Sequence, residues 1–293
     1  MQEVQNKTAF ITGGASGIGL GIAHAFVDAG MQVVLADLRQ DHIDVAADAF
    51  ARRGQSARVH SIRLDVTDRA AMSAAADETR GRFGKLHVLV NNAGVGIEGP
   101  FKAATYADWD FALAVNLGGV VNGLQTFLPR LREHGEGGHI VNTASLAGLV
   151  TMPANFALYA TAKAAVIALS ESIRSELAQD NIGVSVLCPG PVKSNIHELN
   201  KNRPARFATN AAFEAAAQAL SQRPRSELWM EPTAVGALVL DAVKRNDLYV
   251  ITHGEWRPAV AARTEAILAA MPEKTDPRIL ESLRPPSQSS AAP

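Results

Sequence analysis

The feature that most constrains this chain lies within its first 37 residues. Residues 8–12 (T-A-F-I-T) read as a short buried strand. A glycine turn follows, T-G-G-A-S-G-I-G, with Gly13, Gly17 and Gly19. A helical pattern then runs from about residue 18 to residue 28 and is stopped by Gly30. Residues 32–36 (Q-V-V-L-A) form a second strand, closed by Asp37. Strand, glycine turn, helix, strand and terminal acid make one βαβ unit. Glycines permit the tight turn and let backbone approach a pyrophosphate. The free N–H groups and positive dipole end of the helix favour phosphates, so Ser16 and Ile18, inside the turn, join the three glycines in a candidate cradle. Asp37 stands 37 − 19 = 18 residues beyond the last glycine, near the roughly 20 expected of an acid that binds ribose hydroxyls. Its charge would repel a 2′-phosphate, the turn carries no basic residue and Leu38 follows, so NAD is expected rather than NADP; Arg39 works against that preference. The bland alternative is an ordinary loop.

A second stretch, residues 145–163, carries a hydroxyl at Ser145, a phenol at Tyr159 and an amine at Lys163. Tyr159 and Lys163 are four residues apart, which on a helix puts them on one face. A cation held beside a phenol favours the phenolate, so Tyr159 is a candidate general acid/base whose pKa Lys163 is expected to lower. Most tyrosines and lysines at this spacing are a half-buried ring and a solvated amine. Here Lys163 is the one charge between residues 156 and 169, and a lone ammonium in an apolar helix is costly unless something uses it.

The repeat continues along the chain. Helices are expected at about 40–53, 69–83, 106–134, 156–180, 232–246 and 257–271, with a short one at 277–283; strands are expected at 58–64, 86–91, 138–144, 183–188 and 248–252. Short apolar strands alternating with helices imply a parallel sheet with helices on both faces. Asp65 and Val66 fall at its carboxyl edge, where an adenine would rest, although an acid ending a strand before a helix cap at Asp68 reads equally as structure. Asn92, Ala93 and Gly94 follow the strand at 86–91, and small residues there let backbone and cofactor come close; Asn91 and Asn92 instead tie loops together in the bland reading. Asn116 lies mid-helix between Val115 and Leu117, a poor position for Asn, and Asn122 is its weaker rival. Residues 195–231 read as a substrate lid, in which Phe207, Phe213, Leu228, Trp229 and Met230, with Met152 on the loop before the catalytic helix, would line an apolar pocket. The alternative is that they pack the lid against the body. The tail from Pro285 is expected to be disordered.

Composition removes several classes of function. Net charge is −1 and pI about 6.7, so there is no electrostatic footprint for nucleic acid or an anionic membrane. No uninterrupted apolar run of membrane-spanning length stands out, and the eight histidines show no paired metal spacing, so no metal site is expected. The single cysteine, Cys188, excludes an intrachain disulfide framework and suits a reducing compartment. Without a signal-peptide pattern, the expected location is the cytoplasm.

The pieces T-G-G-A-S-G-I-G, Asp37, L-D-V, N-N-A-G, Asn116, Ser145, Y-A-T-A-K and P-G-P-V, in this order, resemble the short-chain dehydrogenases/reductases over residues from about 5 to 252. The resemblance implies a single Rossmann-type doubly wound α/β sheet of order 3-2-1-4-5-6-7 in residues 1–254, with a lid after strand 6 and a C-terminal helical extension from residue 255. It implies a catalytic tetrad of Asn116, Ser145, Tyr159 and Lys163. Asn116 would hold a water linking Lys163 to solvent, and Lys163 would bind the nicotinamide ribose. Pro189, Val192 and Ser194 would meet the nicotinamide end. It implies a small-molecule secondary alcohol or ketone as substrate and a homodimer or homotetramer. The interval 159 − 145 = 14 is one longer than the family's usual spacing, and L-Y-V-I-T-H-G-E-W-R-P replaces its glycine-rich ending. That ending, with K-S-N-I at residues 193–196 and N-R-P at 202–204, is similar to bacterial enzymes that oxidise the benzylic (Cα) alcohol of lignin-type aryl ethers. The alternatives are a steroid or 3-oxoacyl-type ketone reductase, for which Lys193, Lys201, Arg203 and Arg206 would form a basic mouth, and a non-catalytic NAD-binding sensor.

Overall fold

The strands are short and buried on both faces, as parallel strands covered by helices must be: β1 (Thr8–Thr12) and β5 (Gly138–Thr143) have no exposed residue. In this computed structural model, which describes residues 1–196, 198, 203–222 and 226–282, they join β2 (Gln32–Asp37), β3 (Val59–Arg63), β4 (Val88–Asn91), β6 (Ile182–Cys188) and β7 (Tyr249–Ile251) in one sheet. The order is β3-β2-β1-β4-β5-β6-β7 and every pairing is parallel. The order reverses between β1 and β4, the point at which an open α/β sheet leaves a crevice at its carboxyl edge.

On one face, α1 (Gly17–Asp28), α2 (Gln40–Arg52) and α8 (Pro232–Arg245) bury Ile22, Phe26, Phe50, Val235 and Val239. On the other, α3 (Arg69–Phe83), α5 (Gly119–Glu133) and α6 (Ala157–Leu177) bury Met72, Val120, Phe127 and Val166, with Phe10 of β1 against Phe127 at 4.4 Å between ring centroids. Helices α1 and α8 meet backbone to backbone: a Cβ on Gly21 would lie 2.1 Å from the Pro232 carbonyl oxygen, and one on Gly236 would lie 2.1 Å from that of Gly21. No side chain fits there, so the helix opening at the glycine turn has its position fixed by the main chain of α8.

One expectation needs correcting. The long helix is not continuous: α4 (Tyr106–Leu113) passes into a π turn, Ala114–Gly118, before α5 begins. The helical runs Tyr106–Glu133 and Ala154–Asp180 are long and apolar enough, by length and composition, to cross a membrane, although polar residues such as Asn116, Asn122 and Lys163 interrupt them; here they supply Phe127 and Val166 to the core beneath the sheet. The chain divides after Gly254 into two compact units. The second holds α9 (Arg257–Ala269) and α10 (Pro277–Ser282); the tail expected to be disordered lies outside the described residues. Helix α7 (Ala211–Ser221) belongs to the segment between β6 and α8.

Candidate active site

The glycine turn follows β1 into one cleft. Gly13 and Gly17 have φ of +62° and +50°, the region that glycine tolerates best. A Cβ on Gly13 would stand 3.0 Å from Ala93 Cα, and one on Gly17 would stand 3.0 Å from Ser194 Cβ. Gly19 serves the turn differently: its Cβ would strike the Gly13 carbonyl oxygen at 2.0 Å, so it allows α1 to pack on the turn. The Ser16 side chain makes no cap bond to α1, leaving the first N–H groups of that helix without a side-chain partner. Asp37 Oδ2 accepts from Ala15 N at 3.2 Å and Oδ1 from Arg39 N at 3.1 Å, which ties the end of β2 to the turn. A dinucleotide fits this donor set: a side-chain-free cradle, a helix start and an acid at the strand end.

Gly13, Ser16, Gly17, Ile18, Asp37, Asp65, Val66, Asn92, Ala93, Gly94, Tyr159, Lys163, Pro189 and Ser194 all line the cleft. Gly19 and Val192 do not; Val192 is buried and bridges Met230 in parallel β fashion. Asn92 Nδ2 donates to the Thr12 and Gly13 carbonyls at 3.1 and 3.2 Å, so its loop-tying reading holds alongside its place on the cleft wall. Asn91 instead donates to Asn142 Oδ1 at 2.9 Å, and Asn142 Nδ2 donates to Ser170 Oγ at 3.0 Å, a polar chain running under the sheet edge.

Asn116, Ser145 and Lys163 are buried beside that wall, at 0%, 8% and 2% exposure. Asn116 occupies the π turn. Its Nδ2 donates to the Val95 and Ala112 carbonyls and its Oδ1 accepts from Val95 N, each at 3.1 Å. A Cβ on Gly94 would lie 2.9 Å from Asn116 Oδ1 and 3.3 Å from Lys163 Nζ, so the two side chains meet where glycine leaves room. Ser145 accepts from Ala147 N at 3.1 Å and hydrogen-bonds the Tyr159 phenol. Lys163 Nζ donates to the Thr143 carbonyl at 2.8 Å and lies 5.7 Å from the Tyr159 ring centroid. Asn122, the rival to Asn116, donates to the Val66 carbonyl at 2.9 Å and serves packing.

The electrostatics reverse one expectation. Burial pushes the Tyr159 phenol up to about 12, and the Ser145 hydrogen bond opposes this only in part. Burial also pushes Lys163 down to about 8. The ammonium spends its hydrogen bond on a carbonyl, and both groups have lost water. Tyr159 is half-buried and faces the cleft, so solvent there moderates the upward shift without changing its sign.

How the far wall is held was not legible in the sequence. Arg203 Nη2 donates to Asp108 Oδ1 at 2.6 Å; Asp108 is fully buried and also caps α4 through Thr105. Arg203 Nε bonds the Phe207 carbonyl at 2.6 Å, and Phe207 stacks on Phe111 with centroids 5.3 Å apart. Arg206 reaches Asp65 at 3.2 Å and Thr67 Oγ1 at 2.7 Å. Lys193 pairs with Glu231 at 2.6 Å. The basic mouth is thus neutralised at Lys193, Arg203 and Arg206; Lys201 lies outside the described residues. Of the expected apolar lining only Phe207 reaches the cleft. Phe213 is buried against Gly99 and Leu228 is 93% exposed. The unusual stretch before α6 is tied to the opposite loop, with Asn155 O accepting from Gly99 N at 3.0 Å.

Among the described residues one His/Glu cluster, His87, His134 and Glu136, brings ligand-type atoms within 4.8 Å of one another. Its nitrogens are committed: Thr8 N donates to His87 Nδ1 and Glu136 N to His134 Nδ1, both at 3.1 Å, while Lys7 and Lys85 pair with Glu136.

Residues 7–204 match the short chain dehydrogenase family, and the chain belongs to it: an oxidoreductase acting on CH–OH groups, with a nicotinamide cofactor and a small-molecule substrate. Within the family it is 39% identical over 279 residues to a C alpha-dehydrogenase of Sphingobium sp. strain SYK-6, covering 94% of this chain and 90% of that one. Its fold is similar to LigO of the same strain (TM-score 0.78, 36% identity, all of both chains covered). It is also similar to a short chain dehydrogenase/reductase from Burkholderia phymatum solved with NAD (TM-score 0.86, 33% identity, 94% and 99% covered).

Proposed function

We propose that this chain is an NAD-dependent dehydrogenase of a bulky secondary alcohol of the aryl or benzylic kind, with Tyr159 as its general acid/base. The observation that carries this reading is the Tyr159 phenol, bonded to Ser145 and facing the cleft that the glycine cradle and Asp37 also line. When bound, the nicotinamide supplies the hydride chemistry. Gly13, Ser16, Gly17 and Ile18 hold the pyrophosphate, Asp37 the adenosine ribose hydroxyls, Asp65 and Val66 the adenine, and Pro189 and Ser194 the nicotinamide end. Ser145 donates to the substrate oxygen and steadies it. Tyr159 takes the hydroxyl proton from that oxygen in oxidation and returns it in reduction. Lys163 binds the nicotinamide ribose, and its charge favours the phenolate against the burial that raises it. Asn116, across Gly94 from Lys163, holds the water through which the proton reaches solvent.

Phe111 and Phe207, with Val115, give the substrate end of the cleft an apolar, partly aromatic lining, which suits an aryl group; the C alpha-dehydrogenase relative points the same way. The segment 195–231 acts as the lid. The apolar helix run Ala154–Asp180 leaves two thirds of its most apolar window unburied in the single chain, which supports pairing into a homodimer or homotetramer. Purified protein is offered an aryl-glycerol ether with a free benzylic hydroxyl, a hydroxysteroid and a short aliphatic alcohol, each with NAD and with NADP, while reduced nicotinamide is followed. The expected result is turnover on the aryl ether with NAD. Tyr159→Phe is expected to lose about 1,000-fold in turnover while NAD titration still reports binding. Retained turnover in that variant sinks the mechanism; a preference for the steroid moves the substrate to that class.

A further inference from the structure

Arg39 is the residue that should spoil a preference for NAD. It stands two positions beyond Asp37, lines the same cleft, and its guanidinium is of the kind that grips a phosphate bidentately. In the structure that guanidinium is already held from two sides. Nε donates to Asp41 Oδ1 at 3.0 Å and Nη2 pairs with Asp41 Oδ2. Nη1 pairs with Glu198, which lies 159 residues away on the segment after β6. The Arg39 side chain is 19% exposed, so the clamp is only partly screened by water. Its backbone N–H donates to Asp37 Oδ1, fixing the two side chains relative to each other.

We infer that Glu198, together with Asp41, is a cofactor-selecting residue: it holds Arg39 in a carboxylate clamp and so denies a 2′-phosphate the Arg39 guanidinium at the Asp37 end of the cleft. This rests on the NAD reading above and deepens it. A 2′-phosphate brings about two negative charges. At this end it meets Asp37, Asp41 and Glu198, while Arg39, the cation that would offset them, has Nε and both Nη atoms already bonded to carboxylates. Selectivity then has two layers, repulsion by Asp37 and sequestration of Arg39, and the second depends on a residue delivered by the lid segment. NAD, which presents ribose hydroxyls there, needs nothing from Arg39.

The test is direct binding, by titrating NAD and NADP separately against the protein's tryptophan fluorescence, so that activity plays no part. Asp41→Asn and Glu198→Gln keep acceptors but remove charge, at side chains 63% and 29% exposed, where folding tolerates the change. The double variant is expected to lower the ratio of Kd for NADP to Kd for NAD about 30-fold, from releasing charge-assisted hydrogen bonds, with each single variant giving part of it. Adding Arg39→Met to the double variant is expected to abolish the gain. An unchanged ratio in the double variant, or a gain that survives Arg39→Met, overturns the proposal. A parent protein that binds NADP more tightly than NAD overturns the NAD reading itself, which separates the two failures.

Discussion

The wall of the cleft built from β4, β5, the π turn and α6 holds its polar groups with neutral or backbone hydrogen bonds, whereas Glu198, Arg203 and Arg206 are held by charges. On that wall Asn116 spends three bonds on main-chain atoms and Lys163 one on the Thr143 carbonyl. Glu198, Arg203 and Arg206 each reach a partner of opposite charge on a distant element. Main-chain bonds inside a sheet do not weaken with salt. Ion pairs at the surface do, within a Debye length of about 8 Å at physiological ionic strength. The chemistry proposed above therefore rests on side chains that salt does not loosen, and the proposed lid rests partly on exposed pairs such as Arg206–Asp65 that it does.

The comparison breaks most sharply at Arg203, whose ion pair is the one of these three with a fully buried carboxylate. Arg203→Met is expected to cost about 3–5 kcal/mol of stability by stranding Asp108, read as a lower urea midpoint, and adding Asp108→Asn should restore much of it. On the opposite wall, Gly94→Ala pushes a methyl between Asn116 and Lys163. A displaced ammonium is expected to lower turnover about 100-fold with a smaller effect on the melting temperature.

The buried wall also has a pH limit. His139, on β5, is fully buried, its Nε2 bonded to Ser185 Oγ at 2.8 Å and its Nδ1 without a partner; burial holds it neutral, with a pKa of about 3. The unfolded chain takes up this proton near pH ~6.5 and the folded chain does not. Stability is therefore retained above that pH and lost as pH falls toward 3, by up to about 1.4 kcal/mol per pH unit. His139→Gln should flatten that slope in urea titrations between pH 7 and 5. The smallest effect belongs to the exposed strap: Arg206→Ala is expected to cost less than about 1 kcal/mol, with any difference vanishing in 1 M salt.

What could be read in advance follows the same division. The candidate cradle and the candidate residues Asn116 and Lys163 were legible from local signals: a glycine turn between two strands, an Asn in a helix interior and a lone charge in an apolar helix. The sheet order came with the family pattern those residues form. Arg203 with Asp108 and Arg39 with Glu198 were not legible, because partners 95 and 159 residues apart leave no periodicity. The direction of the Tyr159 shift was misjudged for a related reason. Spacing brings Lys163 near the ring, but only the folded surroundings tell how much water each group has lost.

The π turn at Ala114–Gly118 carries a consequence for phase. A π turn is a helix that has absorbed one extra residue, and each residue is worth about 100° of rotation. It lets α4 present Asp108 and Phe111 to Arg203 and Phe207 while α5 presents Val120 and Phe127 to the sheet. Deleting one residue between 114 and 118 would leave a regular helix with both of those faces still in phase, so the loss would fall on the turn's own side chain, Asn116, and its three main-chain bonds.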